Sequence, residues 1–136
     1  MSVRHCGCDT VMAAPAERPM TAAIIGACGG LGALARFLID TGLRRLWSTR
    51  FPIATLLVNV SGSGVLGFVL VSVADGGIAG AAVGIGFCGG YTTFSTAMVE
   101  VAVLMRERRV SASAALLLAQ PIACVLAAAG GYALGA

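Results

Sequence analysis

"GFCGGYTTFSTAMVE", Gly86 to Glu100, is the stretch on which the fold turns. It lies inside an apolar run, Gly77 to Met105, yet it carries Gly89 and Gly90 and then Thr92, Thr93, Ser95, Thr96 and Glu100. Paired glycines weaken a helix, and β-branched threonines follow them. A break here frees backbone carbonyls, and at membrane depth such a break persists only where protein or water satisfies them. Broken helices at the bilayer midplane commonly present carbonyl ends to a cation. Beyond the break, Thr93, Thr96 and Glu100 recur at i, i+3 and i+7, on one helical face. A hydroxyl can bond the carbonyl one turn back. That accounts for one or two of these residues, not for four hydroxyls followed by a carboxylate.

The rest of the chain explains why the stretch is an anomaly. Of 136 residues, 58% are hydrophobic and 11% charged, against about 25% charged in a soluble domain. The bilayer is therefore the expected solvent. Four apolar stretches, Thr21 to Ile39, Phe51 to Ala74, Gly77 to Met105 and Val110 to Ala136, each supply enough chain to cross the hydrocarbon core. A soluble bundle needs polar outer faces, and the pattern has none. The expected fold is an all-α membrane protein of four transmembrane helices, residues 20–136, with the third broken near its middle. Residues 1–19 carry Pro15, Pro19, Glu17 and Arg18 without periodicity and read as a disordered extension, with Met12 or Met20 as alternative starts. No apolar core follows a basic start there, so the segment does not read as a signal peptide.

Several patterns resolve into ordinary explanations. "GACGGLG" (Gly26 to Gly32) imitates a dinucleotide loop, but no alternating strands and no acidic residue at the right distance accompany it. Gly26, Gly30 and Ala33 read instead as small residues that let helices approach closely, as do Gly80, Gly84 and Cys88, and Gly62, Ser63 and Gly67. "HCGC" (His5 to Cys8) lacks a second ligand pair at metal-site spacing. Cys28, Cys88 and Cys124 fall inside predicted helices, where cysteine behaves as a small hydrophobe. The net charge of +3 comes from arginines alone and forms no basic stripe with interleaved aromatics, which excludes nucleic-acid binding. No nucleophile–base pair or metal cluster points to an enzyme.

Two polar side chains stand out in the apolar runs. Asn59, flanked by Leu56, Leu57, Val58 and Val60, carries donors and an acceptor that must find partners in hydrocarbon. It is either an interhelical hydrogen-bonding group or a pore-lining donor. Arg36 either snorkels to the headgroups or lines an aqueous vestibule. The fourth helix offers Ser111, Ser113 and Gln120, with a kink expected at Pro121.

With "GGLGALARF" at the first helix, "FPIATLLVNVSG" at the second and "GFCGGYTTFST" at the third, the chain resembles the small fluoride channels of the Fluc or CrcB family. The resemblance implies a dimer of four-helix subunits in antiparallel orientation, with two pores and a central structural sodium ion. It implies sodium held by the backbone carbonyls of Gly89 and Thr92. It implies an ion path with Asn59 as the pore asparagine, Arg36 at the vestibule and Phe94 as the first of two pore phenylalanines. Ser95 and Thr96 would continue the hydroxyl track beside Thr93, with Glu100 beyond. The expected function is passive export of fluoride across the cell's inner or plasma membrane, which lowers cytoplasmic fluoride toxicity. Neutral donors suit this task, because a fixed full charge would trap the ion, and a phenyl ring meets an anion with its positive edge.

The chain departs from that family in two places. Ala97 stands where the second phenylalanine is expected, and the fourth helix lacks a tyrosine partway along; Tyr132 is too near the end. These departures keep open a non-conducting partner subunit of a heterodimeric channel. A four-helix multidrug/proton antiporter is a further alternative, but its carboxylate belongs in the first helix, which has none before Asp40. Charge bears on assembly. Arg44, Arg45 and Arg50 on the first loop and Arg106, Arg108 and Arg109 on the third lie on one side, against Arg4 and Arg18 on the other. The positive-inside rule then places both arginine loops in the cytoplasm, which favours an oppositely oriented paralogue over a homodimer as the second subunit.

Overall fold

The computed structural model describes residues 17–46, 53–73 and 77–136; His5 to Cys8, Arg4, Arg50 and Asp75 lie outside them. The described residues are helical apart from short connections and the break in the third span, with no strand among them. Helix α1 is Glu17–Leu46, α2 is Ile53–Ser72 and α6 is Val110–Gly135. These three are long and apolar enough to span a membrane. The third apolar run crosses in pieces: α3 (Ile78–Ala81), a π-helical segment (Ala82–Cys88), α4 (Gly89–Tyr91), two extended residues, and α5 (Phe94–Arg106). The fold is therefore an all-α, multi-pass membrane protein with a broken third span, as the opening stretch predicts.

The break itself is displaced. Gly89 and Gly90 stay helical, and the chain extends at Thr92 (φ −82°, ψ 159°) and Thr93 (φ −150°, ψ 122°). Gly90 is glycine for a different reason: a Cβ there would collide with the carbonyl of Gly29 on α1. Three more of these crossings are closed to a side chain, Gly32 against the Phe87 carbonyl, Gly67 against Ala128 and Gly131 against Gly64. So α1 lies backbone-to-backbone on the π segment and α4, and α2 lies the same way on α6. The face expected for α1 is corrected accordingly. Gly26 and Gly30 have open space where a Cβ would go, and Gly29 and Gly32 make the contact.

Two boundaries also differ. Helix α1 begins at Glu17, inside the segment read as an extension, and Pro19 sits in its first turn, where no N–H is required. At its other end α1 runs through Arg44 and Arg45, which were expected in a loop. Asp40 and Arg44 pair at i, i+4 and help to carry the helix that far. Little apolar surface is buried within one chain. The small cluster of Val101, Leu104 and Leu116 joins α5 to α6, and Ser113 Oγ donates to the Val101 carbonyl at 3.0 Å. Leu31, Leu34 and Phe37 on α1 and Leu118, Val125 and Leu126 on α6 point outward, as expected where the surroundings are lipid.

Candidate functional site

The break is held by one side chain. Asn59 on α2 accepts from the Thr93 N–H at 2.7 Å through Oδ1 and donates to the Thr93 carbonyl at 2.8 Å through Nδ2. A single carboxamide thus replaces both helical hydrogen bonds at the extended residue. One Nδ2 hydrogen remains beyond this pair. Asn59 is buried, so the interhelical role read from the sequence is realised, and its partner is backbone rather than another side chain.

The bonds at the break have a consequence for carbonyls one turn back. In a continuous helix the Thr93 N–H would bond the Gly89 carbonyl, and the Thr96 N–H would bond the Thr92 carbonyl. Here the first is committed to Asn59, and the second donates to Thr93 Oγ1 at 3.3 Å. Gly89 and Thr92 therefore each lose their usual helical donor. A Cβ built on Gly89 would meet no atom of a neighbouring element. Hard, uncharged oxygens in such a place fit a monovalent cation.

The hydroxyl run divides. Thr92 Oγ1 turns back to the Cys88 carbonyl at 2.9 Å. Thr93 Oγ1 caps α5 and lies 3.1 Å from Thr96 Oγ1 and 3.3 Å from Ser95 Oγ, so three hydroxyls form one connected cluster. Phe94, the first residue of α5, is 77% exposed, while Ala97 is only 1% exposed. Asn59, Gly89, Thr92, Thr93, Phe94 and Ala97 all line one cleft of about 1070 Å³ among α2, the third span and α6. Ser95 and Thr96 reach it only through their contacts with Thr93.

Glu100 and Arg36 stand apart from that cleft. Glu100 Oε1 accepts from Arg44 Nη2 at 2.7 Å and from Thr55 Oγ1 at 2.6 Å. Arg44 Nε also donates to Asp40 Oδ2 at 2.7 Å. This ties α1, α2 and α5 together at one end of the bundle. Arg36 is half-buried on α1, ten residues before the helix ends, and forms no ion pair among the described residues. Residues missed in the sequence are Arg44 and Thr55. Thr55 was legible, since it lies one turn before Asn59 on the same face of α2. Arg44 was hidden by its assignment to a loop.

Comparison with known proteins gives the family. Residues 23–132 match the family model described as CrcB-like protein, Camphor Resistance (CrcB). The chain is similar to fluoride-specific ion channel FluC 1 of Leifsonia xyli subsp. xyli, at 41% identity over 98 residues, 70% of this chain and 72% of that protein. It is similar to FluC 2 of Cutibacterium acnes at 43% over 122 residues, 85% of this chain and 98% of that one. It is also similar to FluC 3 of Bifidobacterium longum at 36% over 109 residues, 77% of this chain and 89% of that one. A family model covering most of the chain, and relatives matched over 72%, 98% and 89% of their own lengths, lead to one conclusion: the chain belongs to the CrcB-like family.

Proposed function

We propose that the protein is a subunit of a fluoride-specific channel that lets fluoride leave the cell down its gradient. The observation that carries this is the match along four spans to relatives named fluoride-specific ion channels, and the broken third span supports it. The cleft beside the break offers neutral donors, the spare Nδ2 hydrogen of Asn59 and the Thr93–Ser95–Thr96 hydroxyl cluster. Neutral donors replace part of a small anion's hydration shell without trapping it. Phe94, exposed at the edge of the cleft, is free to turn a positive ring edge toward the ion. Arg36, with no ion pair among the described residues, would draw anions toward a vestibule.

The Gly89 and Thr92 carbonyls would hold a structural sodium ion between two antiparallel subunits. The bound cation would supply the positive charge that the freed carbonyls face. For the second subunit, the arginine bias and Ala97 favour an oppositely oriented paralogue over an inverted copy of this chain. No observation favours the antiporter.

The test is fluoride efflux from liposomes, measured with a fluoride electrode. The chain is reconstituted alone and with a family member of opposite arginine bias. Efflux down the fluoride gradient, indifferent to an imposed proton gradient, is expected from the mixed assembly. Absence of flux from both preparations, or flux that stops without a proton gradient, overturns the channel reading.

A further inference from the structure

We propose that the arginine rim at one end of the bundle is a docking surface for anionic phospholipid headgroups, centred on Arg106 and Arg108 at the corner between α5 and α6. The inference is independent of what the cleft conducts and needs only that the chain spans a membrane. The ion pair of Arg44 with Glu100, at 2.7 Å, brings the end of α1 beside α5. The ends that meet there carry Arg44, Arg45, Arg106, Arg108 and Arg109. Among the described residues, the charged groups at the opposite end are Glu17 and Arg18 alone. Arg44 is committed to Asp40 and Glu100, and Arg109 is engaged within the chain. Arg45, Arg106 and Arg108 are exposed and form no ion pair among the described residues. Glu107, also exposed, is the one carboxylate at the corner.

The backbone presents these side chains from a fixed frame. The Arg108 N–H donates to the Met105 carbonyl at 3.0 Å and the Arg109 N–H to the Leu104 carbonyl at 2.9 Å, the paired bonds of a Schellman turn that closes α5. The turn sets Arg108 at φ 59°, in the left-handed region. Glycine is the ordinary occupant of that position, because a Cβ there is strained. Topology does not explain the arginine. With glycine at 108, the arginines around it would still bias the orientation of the chain. A favourable contact outside the folded chain does explain it.

The chemistry of the rim selects its occupant. A guanidinium binds phosphate through two parallel hydrogen bonds, and the end of a membrane span lies in the layer where lipid phosphates are dense. Leu46, Met105 and Val110 are exposed beside the arginines. A lipid covers them with its acyl chains while its phosphate meets the guanidinium groups, whereas a free phosphate leaves them bare. A zwitterionic headgroup brings its own cation, which competes with arginine for the phosphate. A lipid of net negative charge has no such competitor. Each arginine held near an anionic surface adds about fivefold to the affinity.

The test follows the unfolding temperature of the full chain in a neutral maltoside detergent as dioctanoylphosphatidylglycerol is added. Parallel titrations use dioctanoylphosphatidylcholine, and inorganic phosphate at matched ionic strength. The anionic lipid should raise the unfolding temperature, and the other two should not. Arg108→Gly separates the two roles of its position. Without lipid its unfolding temperature should hold or rise, because the strained Cβ is gone, yet the lipid concentration giving half the effect should increase about fivefold. Arg106→Gln combined with Arg108→Gln should increase it about 25-fold. Arg18→Gln, at the other end of α1, should leave it unchanged. An equal rise with phosphatidylcholine would make the surface merely apolar, and an equal rise with phosphate would make it a site for free anions; either overturns the proposal. So does a loss of unfolding temperature in lipid-free Arg108→Gly, which would give Arg108 a partner within the chain. A double variant that responds to phosphatidylglycerol like the unaltered protein overturns it as well.

Discussion

Asn59 holds the backbone at the break, and in the proposed channel it would also face the ion path. Its two bonds to Thr93 need a donor on one side and an acceptor on the other. Aspartate keeps the acceptor and places a second oxygen against the Thr93 carbonyl. It also adds a charge within a span, at about 3 kcal/mol. Asn59→Asp should therefore lower the unfolding temperature in detergent and abolish fluoride flux. Flux equal to that of the unaltered protein, from a folded and assembled Asn59→Asp channel, would remove Asn59 from the path. A polar side chain deep in an apolar helix was plain in the sequence. Its partner was not, because a backbone N–H and carbonyl leave no signature in residue type.

Elements meet here through glycine rather than through large side chains. A methyl at Gly32 would overlap the Phe87 carbonyl, and backbone cannot move aside cheaply. Gly32→Ala should cost about 1–3 kcal/mol, read as a loss of unfolding temperature. Gly30→Ala meets nothing among the described residues and should be close to neutral. Equal damage from both would mean that α1 does not lie on the third span as described. The sequence showed a glycine-rich first helix but not which glycines face inward. Gly26, Gly29, Gly30 and Gly32 all look alike until a neighbour is in place. The π-helical turn at Ala82–Cys88 was likewise unread, since residue pattern does not distinguish it from an α-helix with two glycines. The ion pairs at the end of the bundle set a second test. Arg44 is half-exposed, so Arg44→Ala should cost roughly 1–3 kcal/mol, between the values for a surface and a buried pair. Because Glu100 is nearly buried, much of that loss comes from stranding its carboxylate. Combining Arg44→Ala with Glu100→Gln should recover part of it. A strictly additive double variant would show that the two side chains do not interact.

For the whole molecule, the freed carbonyls at Gly89 and Thr92 give the proposed sodium site a clear readout. Replacing sodium with a large organic cation should weaken subunit association and reduce flux, while Thr92→Val, which spares the carbonyl, should do little. Association and flux indifferent to sodium would exclude the site. Orientation is tested separately. Reporters active on opposite sides of the membrane, each fused to the C-terminus, should give one signal and not the other if the arginine bias fixes a single topology. Equal signals, together with fluoride efflux by the chain alone, would establish an inverted homodimer instead.

The sequence by itself determined the solvent, the number of crossings and the family. Those follow from composition, from the length of apolar runs and from local motifs. It also marked the third span as broken, because Gly-Gly and Thr-Thr lower helix stability wherever they occur. The tertiary structure decided where the break falls. Extending the chain at Thr93 is affordable only where a neighbouring helix supplies a donor and an acceptor together, and Asn59 does so three residues past Gly90. It also decided which polar groups belong to the cleft. Glu100 shares a helical face with Thr96 in the sequence, but the end of α1 reaches far enough to capture it with Arg44. Gln120 shares no motif with Asn59, yet the packing of α6 along α2 brings both to one cavity. Periodicity fixes where a side chain points on its own helix, and only the neighbouring backbone fixes what it meets.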